Sequence, residues 1–326
     1  MKLIIQIPCF NEAKQLPATL AELPREVPGF GEVEWLVVDD GSTDETSAVA
    51  RACGVDHIVR LTGHMGLAAA FQAGLDAALK LGADVIVNTD ADNQYEADDI
   101  PDLVRPILDH EADIVIGNRQ TSTIAHFSPT KKILQRLGSA VVRRVSDTTV
   151  PDVTSGFRAY NRDAALQVQV VSKFTYTLES IIQAGKLALA VRDVPVRTNA
   201  QTRPSRLFGS TWSYVRRNGV AIFRVYTTYE PLRVFMVGAL IAAAIGAAVW
   251  IRFLVYFVTG HGRGHVQSVI FGATMLLVAM QFAAIGILAD VVAATRVLVQ
   301  RTLERVRRVE LQLGVEPSLY EDEGGE

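Results

Sequence analysis

The sequence predicts an α/β fold, a mostly parallel sheet covered by helices, followed by two helices long enough to span a membrane. Three observations predict it. Apolar strand-like runs alternate with helical patterns from the first residue, polar motifs follow those runs, and the apolar excess gathers after Pro231. Ligands in such sheets bind beyond the carboxyl ends of the strands, so the polar motifs are the candidate site.

The expected strands are Leu3 to Ile7, Trp35 to Val38, His57 to Arg60, Val85 to Thr89 and Ile114 to Ile116. Between them Gln15 to Leu23, Thr43 to Ala52, Gly66 to Leu81 and Pro101 to His110 are apolar at helical spacing. The N-terminus, Met1 to Pro8, is too short an apolar run for a signal peptide and reads as a strand, which leaves the expected α/β body in the cytoplasm.

A mean hydropathy of +0.21 and an apolar fraction of 49% are high for a soluble enzyme and point to a membrane. The formal net charge of −3 and pI near 6.1 argue against a broad basic surface for nucleic acid. Cys9 and Cys53 are the two cysteines, with no CxxC, so neither a disulfide framework nor a zinc site is expected.

Val234 to Val258 is apolar except for Arg252, and Val266 to Val292 except for Gln267, Gln281 and Asp290. Each exceeds the roughly 20 residues a spanning helix needs. A pair of buried core helices is the rival reading. The loop Thr259 to His265 carries one arginine, whereas both outer flanks are arginine-rich, which places both flanks in the cytoplasm of a multi-pass plasma-membrane protein. The amphipathic segment Val297 to Leu313 suits the bilayer surface or a second subunit, so a homo-oligomer is among the expected partners.

Asn88-Thr89-Asp90-Ala91-Asp92-Asn93-Gln94 follows an apolar strand directly. Two carboxylates one residue apart at a strand end can share a hard divalent cation that bridges diphosphate oxygens, although an acidic turn gives the same pattern. In Val38-Asp39-Asp40-Gly41-Ser42-Thr43-Asp44, capping by Ser42 or Thr43 and a favourable Asp44 at the helix start explain the second half. They do not explain Asp39 and Asp40, which are placed to accept hydrogen bonds from a base or ribose. Arg119, after Ile114 to Ile116, can grip a phosphate through its planar fork, and Arg203 and Arg206 can approach from the membrane side. His64, before the helix-opening Gly66, is placed to touch a diphosphate, though a plain helix start accounts for that loop. Glu179 suits charge pairing on its helix.

Ile7-Pro8-Cys9-Phe10-Asn11-Glu12, Val37 to Asp44, Asp90 to Gln94 and Gly117-Asn118-Arg119 resemble, in order and spacing, family 2 glycosyltransferases of the GT-A fold, a Rossmann-like sheet. Thr154-Ser155-Gly156-Phe157-Arg158-Ala159-Tyr160 and the two-helix tail resemble the polyprenyl-phosphate glycosyltransferases, the group containing dolichol-phosphate mannose synthase. The resemblance implies that Pro8, Phe10, Asn11, Glu12 and Asp40 line a nucleoside pocket, with Phe10 where tyrosine is commoner. It implies that Asp90, Asp92 and Gln94 hold Mg2+ or Mn2+, with Asp92 and Arg119 as catalytic residues. Lys131 stands at the family's basic position and Gln135 where a serine is usual.

The implied reaction moves a sugar from a GDP- or UDP-linked donor to polyprenyl phosphate with inversion. The expected organisation is a GT-A domain over 1–200, basic interfacial helices over 201–231, two transmembrane helices over 232–295 and a cytoplasmic tail over 296–326. An aminoarabinose-type lipid transferase and a catalytically silent membrane scaffold are the alternatives. A processive synthase is disfavoured by the lack of a QxxRW motif.

Overall fold

A computed structural model describes residues 1–119, 150–170, 176–199, 226–260 and 266–318, with positions 143, 146, 148, 220, 223 and 224. Lys131, Gln135, Arg203 and Arg206 lie outside the described residues. The chain forms two compact units, one of Met1–Asn218 with Gln300–Glu326 and one of Gly219–Val299.

The first unit is built on strands β1 (Lys2–Cys9), β2 (Glu32–Asp39), β3 (His57–Arg60), β4 (Val85–Asn88), β5 (Ile114–Asn118), β6 (Arg158–Asn161) and β7 (Val191–Pro195). Helices α1 (Leu16–Glu22), α2 (Thr46–Ala52), α3 (Leu67–Lys80), α4 (Ile100–Leu108), α5 (Arg162–Gln167) and α6 (Tyr176–Lys186) connect and cover them. The sheet order is β3-β2-β1-β4-β6-β5-β7. Strands β1 to β4 pair in parallel, whereas β6 enters antiparallel between β4 and β5. The chain winds outward from β1 to β3 and then crosses to β4 on the other side of β1. That reversal opens a crevice at the carboxyl ends of β1 and β4.

Val, Ile and Leu fill β1, β2, β4 and β5 because helices cover both faces of a parallel sheet. Two polar side chains interrupt this core. Gln6, fully buried in β1, donates from Nε2 to Asn88 Oδ1 at 2.8 Å, and Gly74 of α3 leaves room for it, since a Cβ there would lie 2.5 Å from Gln6 Oε1.

The second unit carries α7 (Pro231–Val258) and most of α8 (Val266–Gln312). Their apolar windows have mean hydropathies of 2.4 and 2.2 and are only 17% and 11% buried, unlike the mostly buried helix of a core. Glycines let the two helices approach closely, as small residues do between membrane helices. A Cβ on Gly246 would lie 3.0 Å from Gly272 O, and one on Gly272 would lie 2.2 Å from Trp250 Cδ1.

The last turns of α8 belong to the first, sheet-bearing unit, which the amphipathic pattern alone does not reveal. Arg307 is buried. Its guanidinium pairs with Asp76 of α3 at 2.5 Å and donates to Leu166 O at 3.1 Å and Val168 O at 3.3 Å, satisfying carbonyls at the end of α5. Arg308 donates to Asp163 at 2.9 Å, and Lys80 donates to Glu316 O at 3.3 Å. Burial pushes the Asp76 carboxyl up and Arg307 pulls it back. Arg307→Ala is expected to cost about 2 kcal/mol, because charged hydrogen bonds are lost and carbonyls are left behind. A lowered thermal unfolding midpoint would register it.

Candidate active site

Loops from the carboxyl ends of β1, β2 and β4 meet at the crevice. Asn11, at φ 54°, joins the first two: its backbone N–H donates to Ser42 Oγ at 2.9 Å, and its Oδ1 accepts from Thr43 N at 2.9 Å. Glu12 N–H donates to Thr46 Oγ1 at 3.0 Å. Ser42 and Thr43 therefore serve the β1 loop rather than capping α2. Asp44, one residue before the α2 N-cap Glu45, accepts from Thr46 N at 3.1 Å and Ala13 N at 3.2 Å. Pro8 is buried within β1, and Phe10 stands half-buried just past its end.

Both carboxylates after β2 are engaged within the protein. Asp39, 1% exposed, accepts from Ser42 N at 2.7 Å and Ser47 Oγ at 2.5 Å, so it is a turn and helix-start residue rather than one presented to a ligand. Asp40, 2% exposed, accepts from Met65 N at 2.7 Å and Gly66 N at 2.8 Å, and faces His64 Nδ1 at 2.8 Å. Gly41 makes this approach feasible. Its φ is +68°, and a Cβ there would lie 2.5 Å from Gly63 C.

Asp90 follows β4. Its carboxyl is pushed up from 3.8 to about 7, first by burial and then by Asp92, against the pull of Arg119 and Arg158. Asp92 Oδ1 accepts from Gln94 N at 3.3 Å, which rounds the loop. The segment after β7 lies along the same loop: Asn199 N–H donates to Gln94 O at 2.9 Å, and Asn199 Nδ2 to Asn93 O at 3.2 Å. Arg197 clamps Asp99 through Nε at 2.9 Å and Nη2 at 2.7 Å.

A buried polar layer supports Asp90 from behind. Asn88 Nδ2 donates to Gly156 O at 2.8 Å and to Tyr176 Oη at 3.2 Å, and Gly156 N–H donates to Tyr95 Oη at 3.0 Å. Gly156 itself is needed by space, because a Cβ there would lie 2.8 Å from both Asp90 Oδ2 and Tyr176 Oη. Gly156→Ala is expected to displace Asp90 and lower stability by about 1 to 3 kcal/mol, as overpacked sites do. Thermal unfolding and transfer assays on the same variant would read both effects.

Arg158 and Arg119 supply positive charge. Arg158 is fully buried and donates to Ser155 O at 2.7 Å, Thr177 O at 2.9 Å, Val153 O at 3.0 Å and Ser180 Oγ at 2.7 Å. Arg119 forks onto Asp152 through Nε at 2.8 Å and Nη2 at 3.0 Å, and Nη2 also donates to Thr154 Oγ1 at 2.9 Å. The expected phosphate fork is thus largely committed to a carboxylate. Two of the five donors, those on Nη1, take no part in this clamp. Burial would lower the Arg119 pKa, but Tyr95, Asp152 and Asp90 outweigh it, so the guanidinium stays charged.

Asp90 and Asp92 fit a divalent cation in two respects: burial and then the like charge of Asp92 raise the Asp90 carboxyl, a penalty a cation relieves, and glycine keeps space beside it. Among the described residues no group of three or more His, Cys, Asp or Glu side chains forms a ready-made metal site. Two carboxylates suit a cation that draws its other ligands from a bound diphosphate. Glu179 is buried on α6 and accepts from Gln183 Nε2 at 3.3 Å. Sequence reasoning gave no role to Asp152, Arg158, Tyr95 or Tyr176. A charged residue in the short apolar segment Phe157 to Tyr160 was the one available signal.

The sequence profile of Glycosyl transferase family 2 matches residues 4–168, just over half of the chain. The chain is 29% identical over 206 residues to the undecaprenyl-phosphate mannosyltransferase of Micrococcus luteus, a match covering 60% of this chain and 83% of that protein. It is 23% identical over 305 residues to the dodecaprenyl-phosphate galacturonate synthase of Rhizobium johnstonii, covering 90% and 88% respectively. Its fold is like that of glucosyl-3-phosphoglycerate synthase from Mycobacterium tuberculosis crystallised with Mn2+, UDP-glucose and phosphoglyceric acid. The TM-score is 0.53 at 19% identity, over 68% of this chain and 79% of that one.

Proposed function

Because the chain belongs to glycosyl transferase family 2, we propose that it transfers a sugar from a nucleoside-diphosphate donor to a polyprenyl phosphate at a membrane, with inversion at the anomeric carbon. The observation that carries this reading is the Asp90 and Asp92 pair at the sheet's reversal point, in a chain that also has two exposed, spanning-length apolar helices. The names of the Micrococcus and Rhizobium relatives support the acceptor class, because both acceptors are polyprenyl phosphates while the sugars differ.

The nucleoside would lie over Pro8, Phe10, Asn11, Glu12 and Asp40. Asp90, Asp92 and Gln94 would hold Mg2+ or Mn2+, which when bound neutralises charge on the leaving diphosphate. Arg119 would present Nη1 to a phosphate while Asp152 and Thr154 fix its plane. Lys131, Arg203 and Arg206, outside the described residues, are the other candidates for the acceptor phosphate.

A phosphate monoester with second pKa near 6 is largely dianionic at neutral pH, so its oxygen attacks without a general base. The oxygen bonds to the anomeric carbon as the bond to the diphosphate breaks, and the diphosphate leaves with the electron pair. The arginine-rich flanks support a cytoplasmic side for the catalytic unit and both chain ends of the hairpin.

The test incubates the full-length protein with a panel of nucleotide sugars, manganese or magnesium, and a short polyprenyl phosphate. An organic-soluble, acid-labile sugar phosphate is expected. Sugar released only to water, with none on the lipid, would refute the acceptor assignment.

A further inference from the structure

The donor reading gives Phe10 and Asp40 to the nucleoside, yet one side chain covers both. The His64 ring stacks on Phe10 with centroids 3.9 Å apart and planes 24° apart. Its Nδ1 lies 2.8 Å from Asp40 Oδ2. An aspartate carboxylate accepts only, so Nδ1 carries the donated hydrogen. An imidazole thereby offers these two residues what a nucleobase would offer them, a flat π face and a ring N–H. We infer that His64 occupies the nucleobase's own place, and that a donor nucleotide enters by displacing it. This rests on the donor-site reading above.

The surroundings suit displacement of the ring alone. The His64 side chain is 55% exposed, whereas the Asp40 side chain beneath it is 3% exposed. The backbone on either side is pinned, because Asp40 holds Met65 N and Gly66 N and Gly63 packs against Gly41. When the imidazole swings out, Asp40 keeps both backbone donors and loses one partner on Oδ2. That leaves an acceptor site for one N–H, with an uncovered aromatic face beside it.

A standing contact between His64 and the nucleotide would have the opposite sign, since its removal would weaken binding. For a self-occupying residue, removal relieves competition. Losing one stack and one hydrogen bond as the cost of entry is worth about tenfold in affinity.

Calorimetric titration of the full-length protein with UDP and with GDP, with and without manganese, separates the cases. His64→Ala and His64→Ser should each tighten the nucleotide that wild type binds by about tenfold, with thermal unfolding confirming that both variants fold. Unchanged or weaker binding in either folded variant overturns the inference and leaves the donor site standing. If wild type and both variants bind neither nucleotide with manganese present, the donor-site reading fails and takes this inference with it.

Discussion

Asp92→Ala should lower sugar transfer to polyprenyl phosphate by about a thousandfold, the size of effect seen when one preorganised electrostatic partner of a transition state is removed. Asp92 rounds the loop after β4 and sets the like charge felt by Asp90. The alanine variant should keep its fold, since the loop remains tied by Asn199 to Gln94 and Asn93. Single-turnover transfer with saturating donor and lipid measures the loss directly. Wild-type turnover in the variant would remove Asp92 from the chemistry.

Asp90→Asn should separate stability from activity. The carboxyl of Asp90 is raised from 3.8 to about 7, so the metal-free folded protein retains a proton that the unfolded chain has released. Its stabilising contribution is complete below about pH 4 and is lost as pH rises through about 7. At pH 8 the neutral amide should therefore make the metal-free protein more stable, by roughly 4 kcal/mol, with no gain at pH 4. The same substitution should abolish transfer. In the wild type a divalent cation needs the ionised form, so manganese affinity should climb with pH up to about 7 and release a proton on binding. Thermal unfolding at the two pH values and proton-linked calorimetry check both halves; a variant no more stable at pH 8 than at pH 4, relative to wild type, would contradict the first.

The strands and the position of the site were legible because a parallel sheet needs continuous apolar runs, and because only its carboxyl ends can present polar residues. Leu3 to Ile7 and Val85 to Thr89 predict β1 and β4 to within a few residues. Strand β6 escaped, since Arg158 to Asn161 is four residues long and mixes charge with apolar groups. Spacing also cannot distinguish a carboxylate offered to a ligand from one absorbed by nearby amides, which is why Asp39 read as a site residue and is a turn residue instead. Asp152 and Arg119 are far apart along the chain, as are Asp90 and Tyr176, and only the closed sheet brings each pair together. The glycine of the Thr154 to Tyr160 motif carried a real signal, though its reason, room for Asp90, lies in three dimensions.

Residues 300–312 of α8 complete the sheet-bearing unit, yet they follow both apolar stretches in the chain. Before they arrive, Asp76 has no guanidinium beside it and the carbonyls ending α5 lack their donor. Completion of this unit therefore needs residues synthesised after the apolar helices. A truncation ending at Glu230 would not yield a trimmed, water-soluble catalyst. It would yield an unfinished one.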